Sequence, residues 1–192
     1  WDLIREIISI KKINNYLEIG CDDNFLFEKI NVPNKIGVDP REGGNVRKTS
    51  DEFFKDNKTT FDLIFIDGLH EYDQVMKDIK NSLKFLNVNG VILLHDCLPR
   101  TIWNQITPRI NSDWNGDVWK SIVHCRTMDN IDTYTFIADR GVGIIFPRNN
   151  KNLLLLKTRD FKKLKYKDYY INHSDYMNPI NFDKSKLKEL FD

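Results

Sequence analysis

Residues 61–94 read FDLIFIDGLHEYDQVMKDIKNSLKFLNVNGVILL. The apolar run at 63–66 gives way to Asp67-Gly68-Leu69-His70, and from Tyr72 onward the spacing of apolar residues becomes helical. Val75, Met76, Ile79, Leu83 and Leu86 then fall on one stripe, while Lys77, Asp78, Lys80 and Asn81 face away. The helix predicted over 72–86 stops at the Asn-Val-Asn-Gly of 87–90, and a second apolar run at 91–94 ends in His95-Asp96-Cys97. Strands alternating with helices imply a parallel sheet. Both of these strands deliver polar residues at their carboxyl ends, where open α/β sheets bind ligands.

Working outward, the runs 16–19, 35–38, 134–137 and 142–146 read as further strands. A shorter helix is expected at 25–30 and another at 119–125, with Asp117 placed to cap the latter. The expected fold class is α/β, a doubly wound Rossmann-like sheet. Only Asp139, Arg140 and Gly141 separate the last two strands, so these should pair as an antiparallel hairpin at the end of the sheet. After Pro147 the composition shifts to Lys, Asn and Tyr, and 161–170 mixes charges and aromatics without a clean period. The expected organisation is a main domain over 1–150 and an appendage over 151–192, peripheral, partly helical and not an independent domain.

A chain of 192 residues fits one domain with a real core, and 41% hydrophobic with 30% charged residues excludes a disordered or collagen-like chain. Twenty-nine Lys and Arg against 28 Asp and Glu leave a net charge of +1, which supplies no field to draw nucleic acid or anionic lipid. No apolar run is long enough to span a bilayer, and no signal segment opens the sequence. A soluble, cytoplasmic protein without nucleic-acid or membrane partners is expected. Cys21, Cys97 and Cys125 are widely spaced, which supports neither a disulfide framework nor a zinc site. Because the sequence opens on Trp1, a preceding segment is expected, such as a helix that covers the cofactor.

Tyr16-Leu17-Glu18-Ile19-Gly20 is a buried strand ending in an acid and a glycine, where a sheet of this kind receives a nucleotide. Nineteen residues after Gly20 stands Asp39, in Gly37-Val38-Asp39-Pro40, and a carboxylate at that spacing suits ribose hydroxyls. The pair predicts an adenosine-containing ligand. The turn Cys21-Asp22-Asp23-Asn24 lacks the further glycines that bring backbone close to a pyrophosphate, and its two acids repel phosphate, which disfavours NAD and FAD. A cationic sulfonium and ammonium without phosphate, as in S-adenosylmethionine, suit Glu18 and Asp22. The plainer alternative makes Glu18 a strand-end surface carboxylate and Asp22 and Asp23 turn formers; the ribose spacing favours the cofactor.

Asp67 and Asp96 end neighbouring strands, beside the place of a transferable methyl. His70 is positioned to accept a proton from an acceptor hydroxyl, since its unperturbed pKa of about 6.5 lies near working pH. The two aspartates are also candidate ligands for a divalent cation such as Mg²⁺, with His95, Cys97 or water completing the shell. Taken singly, His95 reads as a packed core histidine. Asp67 and His70 have little structural reason to share one loop, so both are candidate catalytic residues.

Over residues 15–147 the chain resembles the class I S-adenosylmethionine-dependent methyltransferases, and within them the bacterial group of methyltransferase domain 24. The likeness rests on Tyr16-Leu17-Glu18-Ile19-Gly20, Gly37-Val38-Asp39-Pro40, Thr49-Ser50-Asp51-Glu52-Phe53-Phe54, FDLIFIDGLHEY at 61–72 and Leu94-His95-Asp96-Cys97. Asp22 and Asn24 depart from it, standing where many relatives have glycine. The resemblance implies a seven-stranded, mostly parallel sheet with an antiparallel last hairpin. It places Ser50 and Asp51 near the adenine, and Asp67 at the boundary between cofactor and acceptor. By similarity to catechol O-methyltransferase, Asp67 and Asp96 fall at two metal carboxylates and His70 at a basic lysine, while Cys97 replaces an asparagine ligand. Trp114-Asn115-Gly116-Asp117-Val118-Trp119-Lys120 resembles a segment of the same group, and reads either as acceptor-pocket lining or as a packed loop with a helix cap.

The expected activity is methyl transfer to an oxygen of a small molecule. A sugar or nucleotide-linked sugar is the acceptor suggested by family context, and a homodimer is the assembly to test for. The expected cofactor set is Glu18, Gly20, Asp22, Asp39, Ser50, Asp51 and Asp67, with His70 and Asp67 catalytic and Asp67 and Asp96 holding any metal. Three other classes are distinguishable. An NAD-dependent oxidoreductase conflicts with Cys21-Asp22-Asp23-Asn24, and a nucleic-acid methyltransferase conflicts with the charge balance and the missing Asn/Asp-Pro-Pro-Tyr/Phe motif. A non-catalytic nucleotide-binding or scaffold domain of the same fold would be indifferent to loss of His70.

Overall fold

The computed structural model describes residues 2–191; Trp1, Asp192 and the segment expected before Trp1 lie outside the described residues. Along the chain come α1 (Asp2–Ile10), β1 (Asn15–Ile19), β2 (Asn34–Val38), α2 (Ser50–Asp56), β3 (Phe61–Ile66), α3 (Tyr72–Lys84), β4 (Leu86–Leu94), α4 (Ile102–Gln105) and α5 (Trp119–Arg126). There follow β5 (Asp132–Ile137), β6 (Val142–Phe146), α6 (Tyr166–Ile171), α7 (His173–Met177), β7 (Pro179–Asn181) and α8 (Lys184–Phe191), with 3₁₀ turns at Phe27–Lys29 and Phe161–Lys163.

The seven strands form one sheet in the order β2-β1-β3-β4-β6-β5-β7. β1 pairs in parallel with β2 on one side and β3 on the other, and β3 pairs in parallel with β4. The chain thus reverses its direction of travel across the sheet between β1 and β3, and the crevice at such a reversal is where doubly wound sheets hold ligands. β6 runs antiparallel to both β4 and β5, which is the expected hairpin. The hairpin lies one strand in from the edge, because β7 adds in parallel outside β5.

Alternation along each strand fills both faces. Leu63 and Phe65 of β3 turn to the cluster containing Leu3, Ile4 and Ile7 of α1, while Ile64 and Ile66 turn to the cluster containing Val75, Ile79, Trp119 and Ile122. Each such side chain withdrawn from water contributes roughly 1.5–3 kcal/mol, which sets the register, since a one-residue slip would exchange the faces.

Three expectations about single elements change, and a fourth about the C-terminal segment. The helix foreseen at 25–30 shrinks to the 3₁₀ turn, because Asp23 draws the Phe25 amide into a 2.9 Å side-chain turn and Asn24 sits in the left-handed region at φ 68°. Asp117 does not cap α5; its Oδ1 accepts the Tyr72 amide at 2.7 Å, capping the first turn of α3 from across the fold. Asp78, expected on the outer face of α3, is buried.

The stretch 151–192 is woven in rather than peripheral. Phe161, Leu164, Tyr169, Tyr176 and Met177 join the α3–α5 face of the core, and Leu187 and Leu190 join the α1 face. Because Met177 is fully buried, Met177→Ala is expected to lower unfolding free energy by about 2–5 kcal/mol. Urea denaturation monitored by circular dichroism checks this, and a loss within the range of ordinary surface substitutions would mean that the segment lies loosely on the domain.

Candidate active site

The carboxyl ends of β1, β2, β3 and β4 open into a cleft of about 880 Å³, large enough for a nucleoside-sized ligand and a second small molecule. Its floor is set by the contact of β1 with β3. The Asp67 amide donates to the Ile19 carbonyl at 2.8 Å, and Gly20, at φ 84°, passes so close that a Cβ there would lie 2.1 Å from the Asp67 carbonyl oxygen. Only glycine fits this position.

The candidate cofactor residues gather at one end. Glu18 is buried, and its Oε2 accepts the Tyr16 hydroxyl at 2.6 Å. Burial raises the Glu18 carboxyl to about 7, with the Asp67 charge adding to the rise and the Tyr16 hydroxyl opposing it. Asp39 behaves oppositely. Burial disfavours its charge, but backbone amides of Arg41 and Glu42 on Oδ1, and of Cys21 and Asp22 on Oδ2, hold its carboxyl below the ordinary value. Asp39 therefore clamps the β1 and β2 loops together, and Asp22 enters that clamp through its backbone at φ 44°.

Ser50 and Asp51 open α2 behind a capping box of Thr49 and Glu52. Gln74 of α3 reaches them, its amide nitrogen lying 3.1 Å from Ser50 Oγ, 3.2 Å from Asp51 Oδ1 and 3.1 Å from Asp78 Oδ1. Burial lifts the Asp78 carboxyl to about 6. Gln74 and Asp78 line the cleft and were not singled out from sequence; their one signal was the four-residue spacing that puts them on one helical face.

Beyond Asp67 the cleft holds alternating acids and imidazoles. His70 Nε2 lies 3.0 Å from Asp67 Oδ1, and His70 Nδ1 lies 3.1 Å from Asp96 Oδ2 without the alignment of a hydrogen bond. His95 Nδ1 lies 3.2 Å from Asp67 Oδ1, and its Nε2 lies 2.9 Å from Asp139 Oδ2. His95 thus belongs to the cleft and is not a packed core histidine. Burial disfavours the charged form of both imidazoles, yet the surrounding carboxylates win, raising His70 above its ordinary value and His95 to about 9. The same contacts hold Asp67 well below the carboxylate range against its burial, whereas burial raises Asp96 despite the two imidazoles. Asp139 carried no sequence signal, because the turn between β5 and β6 brings it across the sheet.

Asp67, His95 and Asp96 present ligand atoms that all lie within 4.8 Å of one another. With the unpartnered Nδ1 of His70 beside them, this donor set fits a divalent cation. Cys97 does not join it: its thiol donates to the Leu94 carbonyl at 3.2 Å and packs in the core, where burial raises its pKa.

The 114–120 segment divides, residue by residue, between lining the cleft and packing. Trp114 lines the cleft and stacks on His70, ring centroids 5.4 Å apart and planes 20° apart. Asn115 Nδ2 donates to Asp96 Oδ1 at 2.9 Å. Gly116, at φ 61°, leaves no room for a Cβ against the His70 carbonyl, and Asp117 caps α3.

Residues 36–97 match the family described as Methyltransferase domain. That match covers about a third of the chain, and the fold is one that methyltransferases of known structure share. The SAH-bound methyltransferase PaMTH1 of Podospora anserina shares the fold at 19% identity and TM-score 0.57, over 77% of this chain and 78% of that one. The O-methyltransferase from Bacillus cereus in complex with SAH does so at 12% identity and TM-score 0.53, over 74% and 79%. TomG of Streptomyces achromogenes, an O-methyltransferase involved in tomaymycin synthesis and bound to SAM, does so at 10% identity and TM-score 0.52, over 77% and 79%. No curated sequence matches this chain significantly.

The raised pKa of Glu18 has a sign. Between about 4.5 and about 7 the folded domain binds a proton that the unfolded chain has released, so this group's contribution to stability falls as pH rises through that window. Glu18→Gln is expected to make the ligand-free domain more stable at pH 8 by up to roughly 3 kcal/mol and nearly neutral at pH 4.5. Melting temperatures of both proteins across this range test it; parallel curves would show that Glu18 ionises normally.

Proposed function

We propose that the domain transfers the methyl group of S-adenosylmethionine to a hydroxyl of a small molecule, sugars included. The observation that carries this reading is the imidazole of His70, set between Asp67 and Asp96 next to a cleft end rich in carboxylates. Glu18, Asp22, Asp39, Ser50, Asp51 and Asp78 all face that end, which suits a cofactor bearing a sulfonium and an ammonium but no phosphate. Gly20 lets the cofactor approach the β1–β3 junction. Asp39 shapes the ribose end through the loops it clamps, and Gln74 and Asp78 join Ser50 and Asp51 around the adenine. The relatives bound to SAH or SAM support the same assignment. The buried free thiols of Cys21, Cys97 and Cys125 support a reducing, cytoplasmic setting.

In the reaction the acceptor oxygen attacks the methyl carbon in line. The oxygen–carbon bond forms as the sulfur–carbon bond breaks, the sulfonium becomes a neutral thioether, and the hydroxyl proton is taken by His70. His70 is hydrogen-bonded to Asp67 at Nε2 and lies beside the Asp96 carboxylate, so the three titrate as a unit. Trp114 fixes the ring plane of His70, and holding the reactants together supplies several kcal/mol of the barrier. Asp67, Asp96 and His95 would hold a divalent cation such as Mg²⁺, which when bound lowers the pKa of an acceptor hydroxyl.

Calorimetric titration with S-adenosylhomocysteine, with and without Mg²⁺, is expected to show micromolar binding that Asp51→Ala weakens about tenfold, the worth of one hydrogen bond to a charged group. Asp51 is the better probe than Asp39, whose loss would orphan four backbone amides. His70→Ala should keep that affinity and lose at least about 100-fold in methyl transfer. A folded domain that ignores the ligand would leave the scaffold reading standing, and full transfer by the alanine variant would remove His70 as the base.

A further inference from the structure

The two ends of the cleft differ in charge. At the cofactor end, carboxylates outnumber the single guanidinium of Arg41. On the far side of His70 the cleft is bordered by Arg109 and Arg140. The geometry there is layered: the Trp114 ring lies against His70, and the Arg109 guanidinium lies 5.8 Å from the Trp114 ring. Arg109 is one indole away from the base. Its Nε donates to the Asn111 carbonyl at 2.8 Å and its Nη2 to the Ser112 carbonyl at 3.2 Å, so its own loop holds it in place. No carboxylate pairs with it among the described residues.

Arg140 lines a second pocket as well, of about 230 Å³, which Arg100 also borders. Arg140 is anchored at 2.8 Å by Asp113, and Asp139, the other acid of that pocket, is engaged by His95. Arg100, like Arg109, has no carboxylate partner among the described residues. Once these pairs are made, the far side of the cleft retains the uncompensated guanidinium of Arg109 and the anchored one of Arg140, with that of Arg100 in the adjoining pocket.

We propose that the methyl acceptor carries an oxyanion, a carboxylate or a phosphate, bound by Arg109 and Arg140 while its hydroxyl reaches His70. This rests on the methyltransferase reading and narrows its acceptor class. Guanidinium presents parallel N–H donors that match the paired oxygens of either anion. A cleft acidic at one end and basic at the other also sorts a cationic cofactor from an anionic acceptor, so that neither occupies the other's place.

The probes are 3,4-dihydroxybenzoate, catechol and inorganic phosphate. Calorimetry on the domain saturated with S-adenosylhomocysteine is expected to show the carboxylate probe binding at least about tenfold tighter than catechol, one charge-assisted contact's worth. Phosphate should compete with it. Arg109→Gln should erase the preference while leaving S-adenosylhomocysteine affinity unchanged, and Arg140→Gln, which also frees Asp113, should do the same. Arg109→Lys should restore part of it. Equal binding of the two aryl probes overturns the proposal, as does a loss of S-adenosylhomocysteine affinity in Arg109→Gln, which would assign the arginine to the cofactor's own carboxylate. A phosphate titration of the cofactor-free domain separates the two readings. Phosphate binding that depends on Arg109, in a protein that ignores S-adenosylhomocysteine, supports the anion site and fails only the methyltransferase reading; absence of phosphate binding fails the anion site itself.

Discussion

The approach of β1 to β3 at Gly20 and Asp67 is the constraint from which the rest of the site follows. Two parallel strands that diverge at their carboxyl ends leave a crevice, and here the crevice is narrowed until backbone meets backbone. Asp67 is held by the Ile19 carbonyl through its amide, which frees its side chain to organise two imidazoles. His70 is then fixed from three directions: Asp67 at Nε2, Trp114 across its face, and the Asp117 amide on its carbonyl at 3.1 Å. The Gly116 turn makes the last contact sterically possible.

Charge is arranged with the same economy. A buried carboxylate is costly unless backbone amides or opposite charge satisfy it, and the domain uses each remedy in a different place. Asp39 has four amides and stays ionised. Glu18 has one tyrosine hydroxyl and holds its proton up to about 7. Asp67 has two imidazoles and stays ionised. Carboxylates one strand apart thus serve as a clamp, a proton-holding wall and an organiser of the reaction site, although their side chains differ little.

The strands and the principal helix were legible because burial imposes periods of two and 3.6, and Val75, Met76 and Ile79 display the second plainly. The sites at strand ends were legible for the same reason: once β1, β3 and β4 are in place, Glu18, Asp67 and Asp96 have nowhere else to be. What stayed hidden depends on long-range folding. Asp117 looked like a cap for the helix that follows it but serves α3, because capping needs only an oxygen near free amides and not sequence adjacency. Asp139 and His95 meet only through pairing of β4 with β6. The segment after Pro147 looked peripheral since its buried residues, such as Tyr169, Tyr176 and Met177, are scattered among lysines and lack a period.

The placement of β7 has a consequence for how the domain comes into being. The outer edge of β5 finds its partner only when residues near 180 are available, and an uncovered strand edge offers unpaired amides and carbonyls to any neighbouring chain. During synthesis, therefore, the strands that line the cleft are all made while the opposite margin is still open. A chain broken before β7 would keep that β5 edge open to mispairing and would also lack the core residues that follow Pro147.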